Sequence, residues 1–212
     1  MTAPLEPPKD CPLCPRLAAF RQENRKKFPA YWNAPVPCFG PRSARIAIAG
    51  LAPGLHGANA TGRPFTGDWA GDLLYATLRK FGLAKGRYEE RADDTLELVN
   101  ARIVNAVRCV PPQNKPEPSE ISTCRQFLAA ELEAMTEARV ILALGKIAHD
   151  SVLKTLGARI AAHPFGHETQ YRIGRFTLLS SYHCSRYNTN TGVLTIAMFE
   201  SAVGKAKALA GL

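Results

Sequence analysis

The chain has 212 residues, 46% of them apolar, with 27 Lys and Arg against 18 Asp and Glu. That length suits one domain with a normal core, and no apolar run approaches the ~18 residues of a membrane span. The net charge of +9 favours a polyanionic partner, and nucleic acid is the commonest one.

Residues 1–10 are proline-rich, read as a mobile segment, and contain no apolar core of a signal peptide. A cytoplasmic protein with reduced thiols is the expectation. Cys11-Pro-Leu-Cys14 has the knuckle spacing of many metal sites. Arg16–Lys27 reads as a basic amphipathic helix, and Pro29–Pro41, with four prolines, as a loop. Cys38 in that loop reads as a buried apolar filler.

Ile46-Ala47-Ile48-Ala49 is a buried strand that runs into Gly50. The loop after it carries Gly54, Gly57, Gly62 and Gly67 together with His56, Asn59, Arg63, Phe65 and Asp68. Glycines let a backbone approach a ligand, and strand-to-loop junctions are where open α/β sheets build sites. No Gly-Lys-Ser/Thr follows, so it is not a P-loop. Asp68 suits the N-cap of a helix over Trp69–Phe81, with Leu74, Leu78 and Phe81 on one face. Ala84–Asp94 reads as an exposed connector.

The next strand, Ala101–Val107, holds Asn105 inside an apolar run. A buried amide either finds a neighbouring backbone group or points to a ligand, because leaving it unpaired costs ~1–3 kcal/mol. Cys109 and the stiff segment Pro111–Pro118 follow. Ser119 is the expected cap of a helix to about Glu137, with Cys124 on its inward face. Arg139–Leu144 is a strand, Gly145–Leu156 a helix with a surface or structural His149, and Tyr171–Ser180 a strand or hairpin. A polar loop, Tyr182–Gly192, leads to a final helix capped by Asn190 or Thr191. The βα alternation predicts a mostly parallel sheet with helices on both faces. The polar loops would then gather at its carboxyl edge.

Cys11, Cys14, Cys109 and Cys124 form a CxxC and a C-x14-C. Four thiolates hold either zinc or an iron–sulfur cluster, and ligand count does not choose between them.

These residues together resemble a family. Gly50-Leu51-Ala52-Pro53-Gly54, His56–Asn59 and Thr61–Asp68 resemble the first motif of the family 5 (B-type) iron–sulfur uracil-DNA glycosylases. His183–Gly192 resembles that family's last motif. The four cysteines and Asn105–Pro118 are similar in order and spacing, so the resemblance runs from about Cys11 to the final helix. Cys184 stands where the motif has proline, and Val193 where an arginine is expected. The first bears on loop rigidity and the second on a DNA contact.

The resemblance implies a three-layer α/β/α fold with a four-stranded parallel sheet. It implies one domain over residues 1–212, with a cluster-binding arm at about 1–40. It implies a [4Fe-4S] cluster on Cys11, Cys14, Cys109 and Cys124, away from the chemistry. The implied reaction is hydrolysis of the N-glycosidic bond of uracil in DNA, and of other deaminated bases such as hypoxanthine. Leu51-Ala52 occupies the place where other families carry a polar water-activating side chain.

In that reading Phe65 stacks on a flipped base, or is a plain core residue. Asn105 pairs with the base edge, and backbone N–H groups near Gly54 and Phe65 contact its oxygens. His183 donates to the departing base, or merely caps a helix. Asp68 orients water or caps its helix, and Asn59 places water or sugar. Asn188 contacts substrate, Arg63 and Arg186 meet phosphates, and Tyr187 wedges into the gap. The partner is DNA bearing deaminated bases, engaged by a monomer with no membrane involvement. A catalytically impaired iron–sulfur DNA-binding protein of the same fold is the other reading, with Cys184 and Val193 as the suspect changes.

Overall fold

The structure is a computed structural model and describes residues 5–212. The expected mobile segment at residues 1–10 therefore lies partly outside the described residues. The remainder of that segment is tethered: Glu6 accepts hydrogen bonds from Arg108 Nη1 (2.7 Å) and Cys38 N (3.0 Å).

The helices are α1 (Pro15–Lys27), α2 (Ala58–Thr61), α3 (Trp69–Lys80), α4 (Pro118–Ala134), α5 (Lys146–Thr155), α6 (Arg186–Asn190) and α7 (Ile196–Leu209). The strands are β1 (Ile46–Gly50), β2 (Ala84–Lys85), β3 (Glu97–Leu98), β4 (Ala101–Asn105), β5 (Val140–Leu144), β6 (Gln170–Ile173) and β7 (Phe176–Ser181). The main sheet has the order β4-β1-β5-β7-β6. Its first four strands are parallel, as expected, and β6 adds a fifth, antiparallel edge strand as the outer arm of a hairpin with β7. The expected count of four thus becomes five, because Gly174 takes a left-handed φ of 55° and turns the chain straight back.

β1, β4 and β5 are buried along their whole length, which is the mark of strands covered on both faces. The two-residue alternation of β1 divides its work. Ile46 and Ile48 pack with Leu74, Leu78, Phe199 and Val203 of α3 and α7. Ala47 and Ala49 face Leu128, Leu132 and Val152 of α4 and α5. A third small cluster, Leu17, Val107, Cys124 and Phe127, seats α1 against the end of the sheet.

Three local expectations are corrected. Residues 84–94 are not a free connector: β2 pairs with β3, and the Asp94 side chain is buried. α4 starts at Pro118 with Glu117 as N-cap, since proline fits the first helical position. Glu117 N donates to Glu120 Oε2 at 2.7 Å, closing a capping box that leaves Ser119 inside the helix. α7 is capped by Thr195, because Asn190 and Thr191 belong to and follow α6, which is capped by Ser185. No described helix is long and apolar enough to cross a membrane.

Candidate active site

The loops after β1, β4 and β7 meet at the carboxyl end of the sheet. They enclose a cleft of about 420 Å³, within the range of small-ligand sites. Phe65, Asp68, Asn105 and His183 all line it.

Phe65 sits at φ 52°, in the left-handed region. A bulky side chain there costs ~1–3 kcal/mol and persists only when its surroundings impose it. Here they do. Tyr75 Oη donates to Pro64 O at 2.5 Å, Tyr88 Oη donates to Phe65 O at 3.4 Å, and Gly71 packs against the Phe65 carbonyl. The result is a phenyl ring held at the cleft wall, stacked at 6.0 Å and 26° on the His183 imidazole.

Asn105 closes β4 and is 4% exposed. Its Oδ1 has no hydrogen-bond partner among the described residues. Gly50 makes room for it, since a Cβ there would lie 2.4 Å from Oδ1 and 2.9 Å from the Phe65 ring. The residue lines the cleft, and a buried amide oxygen with no partner among the described residues is a candidate for pairing with a ligand.

His183 follows β7 and rests on Gly145 at the end of β5. Burial pulls its pKa below 6.5, with Asp68 opposing the shift, so the ring is neutral at pH 7. Its backbone carbonyl accepts from Asn188 Nδ2 at 2.8 Å, which fixes the loop.

Asp68 answers a question the sequence left open. Its Oδ1 accepts from Gly71 N at 3.0 Å, the N-cap bond of α3. Its Oδ2 lies against Gly57, where a Cβ would come within 2.6 Å, and the residue still lines the cleft. One carboxylate can therefore cap the helix and face the cavity.

The architecture agrees with the comparisons. The family model for the Uracil DNA glycosylase superfamily matches residues 37–207. A type-5 uracil-DNA glycosylase of Thermus thermophilus is 48% identical, covering 95% of this chain and 94% of the relative. One from Mycobacterium bovis is 42% identical over 95% of this chain and 79% of the relative. One from Pyrobaculum aerophilum is 39% identical over 95% and 90%.

The chain belongs to the uracil-DNA glycosylase superfamily.

Two further expected residues sit differently in this glycosylase. Arg63 is 4% exposed, and its guanidinium forms a bidentate pair with Asp94 at 2.7 Å on both arms. Phe39, Tyr75 and Tyr88 surround it, and its Nε donates to Thr66. Its expected phosphate contact is corrected: the charge is consumed inside the protein, where it holds the first-motif loop to residues 88–96. Asn59 is also buried, and its Nδ2 donates to Asn33 Oδ1 at 3.0 Å rather than lining the cleft. Asn188 serves the His183 loop, as described.

Arg186 and Tyr187 are at the rim. Arg186 lines the cleft, and Tyr187 is 74% exposed. Trp69 was missed. Its indole lines the cleft, donates to Thr189 Oγ1 at 3.1 Å, and lies under the Arg186 guanidinium. The available signal was an aromatic at the exposed first position of a helix, directly after Asp68. Cys184 is fully buried in the core and its thiol donates to Ala70 O at 3.5 Å, which makes it a packing residue and not an exposed nucleophile. His149 is structural: its ring bonds Ser180 Oγ and His163 O.

The four cysteines surround a second cavity, well apart in its lining, with Leu17, Arg21 and Phe127. Arg108 N donates to Cys124 Sγ at 3.4 Å, and Arg21 Nη1 to Cys109 Sγ at 3.8 Å. Donors aimed at sulfur are what a bound metal–thiolate centre uses to stabilise its charge. Burial pushes three of the thiols up, Cys14 to about 11, Cys109 to about 12 and Cys124 in the same direction, and bound cation charge would favour their thiolates. The donor set fits such a centre. Cys38 packs, partly buried, against the core on the α4 and α5 side, as expected of a filler; its thiol also lies near Glu6 and Glu131, whose carboxylates are already paired with Arg108 and Arg102.

Proposed function

We propose that this protein hydrolyses the N-glycosidic bond of uracil in DNA, and of hypoxanthine by the same recognition. The orphaned Asn105 Oδ1 carries the reading. Uracil presents an N3–H donor beside the O4 acceptor, and hypoxanthine presents N1–H beside O6. An Asn105 amide with Oδ1 accepting and Nδ2 donating satisfies either edge, while cytosine and adenine present the reverse order. The amide so oriented separates uracil from cytosine and hypoxanthine from adenine; thymine and guanine present the same edge and are not excluded by it.

The base must first leave the duplex, at a cost of a few kcal/mol that is least in a mispair. Phe65 then supplies the stacking surface. As the bond breaks, negative charge grows on the base, and the neutral His183 ring donates to its O2. Asp68 faces the sugar side, where it orients water and balances oxocarbenium charge. With Asn59 committed to Asn33, that task falls to Asp68. Arg186 and Tyr187 hold the duplex at the rim. The residues given roles in the cleft come from one chain, which supports action as a monomer.

The four cysteines would hold a [4Fe-4S] cluster that ties the N-terminal arm and α1 to β4 and α4 and takes no part in bond cleavage. Purified protein is expected to be brown and to contain iron and acid-labile sulfide in equal amounts. Zinc in their place would refute the cluster. Cys109→Ser is expected to lose the colour and to melt at lower temperature.

The deciding assay is excision from an oligonucleotide with one U·G mispair, with hypoxanthine opposite T beside it. Alkali-labile breaks at both positions are expected. Asn105→Ala should slow both about 10–100-fold, the value of a bidentate base contact. Slowing of one base alone would show that Asn105 does not read their shared edge.

A further inference from the structure

Trp69 stands next to Asp68 at the start of α3, and the reaction above gives it no task. The residue is 46% exposed and belongs to none of the three core clusters among the described residues. It is fixed all the same, by the segment that follows β7. Its indole N–H donates to Thr189 Oγ1 at 3.1 Å, and the Thr189 hydroxyl in turn donates to the Arg186 carbonyl at 3.1 Å. The Arg186 guanidinium carbon lies over the indole, 5.8 Å from the ring centre. Trp69, Arg186 and Asp68 all line the same cleft. The indole therefore ties both the backbone and the side chain of Arg186 to the start of α3.

This arrangement has a use in binding an anion. A loose arginine samples many rotamers, and ordering it on a phosphate costs affinity. An aromatic face attracts the guanidinium and restricts it beforehand, without consuming its N–H donors. Those donors match a phosphate, with which arginine pairs through two N–H groups at once.

We infer that Trp69 is a positioning residue, which holds Arg186 at the cleft mouth for a phosphate flanking the flipped nucleotide. The inference rests on the proposed glycosylase activity, which brings the sugar of that nucleotide to Asp68, the chain neighbour of Trp69. The phosphates on either side of that sugar travel with it. The contact is to the backbone and reads no sequence.

The test is equilibrium binding of the full chain to a duplex with one 2′-fluoro-2′-deoxyuridine opposite G, in which the electron-withdrawing fluorine keeps the glycosidic bond intact. Trp69→Ala is expected to bind about two- to fivefold more weakly than the wild type, the value of an exposed cation–π contact. Arg186→Ala should lose at least as much, and adding Trp69→Ala to it should cost nothing further, since the two act through one contact. Trp69→Phe keeps an aromatic face and should recover most of the loss. A duplex whose phosphates beside the fluorouridine are neutral methylphosphonates should erase the difference between the wild type and Trp69→Ala. Wild-type affinity in Trp69→Ala, a full additional penalty in the double variant, or an undiminished difference on the neutral duplex would overturn the inference. Wild-type protein that binds this duplex but releases no uracil from the unfluorinated one would overturn the glycosylase reading instead.

Discussion

His183→Ala protein is expected to excise uracil about 10²–10³-fold more slowly than the wild type, as when one preorganised donor to a developing oxyanion is removed. Binding of uracil-containing DNA should be largely kept, because the contacts proposed for Arg186 and Tyr187 at the rim are untouched. The ring lies at a cleft wall, stacked on Phe65 and resting on Gly145, so truncation opens the cleft without emptying the core. Single-turnover rates at saturating enzyme, alongside a binding titration and a thermal melt, separate the outcomes. Equal losses of binding and folding would remove the catalytic role. His183→Gln, which keeps a donor, should recover part of the rate.

The protonation state adds a second check. Burial holds the His183 pKa below 6.5 against the opposing pull of Asp68. A lowered histidine pKa means that the neutral form prevails at pH 7 and above. The excision rate should then be level from pH 7 upward as far as this residue governs it. A rate that fell with a midpoint near 6.5 as pH rose would show that the imidazolium is the donor, contrary to the buried geometry.

The second large effect is on stability. Arg63→Ala leaves Asp94 buried with no countercharge, which costs about 3–5 kcal/mol. In a chain of this size that lowers Tm by on the order of 10 °C. Burial by itself would raise the Asp94 carboxyl. The Arg63 hydrogen bonds and the N–H groups of Glu89 and Leu96 outweigh it and bring it down to about 2. The stability from this depressed carboxyl is full above its unfolded value near 3.9, and is lost as pH falls through about 2. Excision should suffer as well, since Arg63 anchors the loop that forces Phe65 into its left-handed conformation. DNA binding supplies the contrast. In Arg186→Ala the slope of log affinity on log salt should fall by about one, while folded Arg63→Ala protein should keep the wild-type slope. A matching drop in slope for Arg63→Ala would mean that its guanidinium reaches phosphate after all.

Much of the site was legible because its signals are local. An amide in an apolar strand, Asn105, announces either a partner or a ligand within a few residues of sequence. Asp68 before an amphipathic stretch announces a cap. The mostly parallel sheet followed from apolar runs alternating with helical periods, and its count of four from the family resemblance. Arg63 was illegible for the opposite reason. Its partner Asp94 lies 31 residues away, in a stretch that reads as polar surface, and nothing local distinguishes a buried arginine from a phosphate-binding one. Trp69 was missed for the same reason, since Thr189, which its indole meets, lies 120 residues away.

The sequence by itself determined the layered α/β plan, the family resemblance, the four-cysteine set and most of the residues at the cleft, because each depends on residue type and short spacing. Only the tertiary structure decided which charges are spent inside and which stay exposed. It paired Arg63 with Asp94, set Asn59 on Asn33, buried Cys184, and left Asn105 Oδ1 without a partner among the described residues. Those outcomes depend on which distant segments share a low-dielectric interior, where a charge must find its counterion and an unpaired amide waits for a ligand.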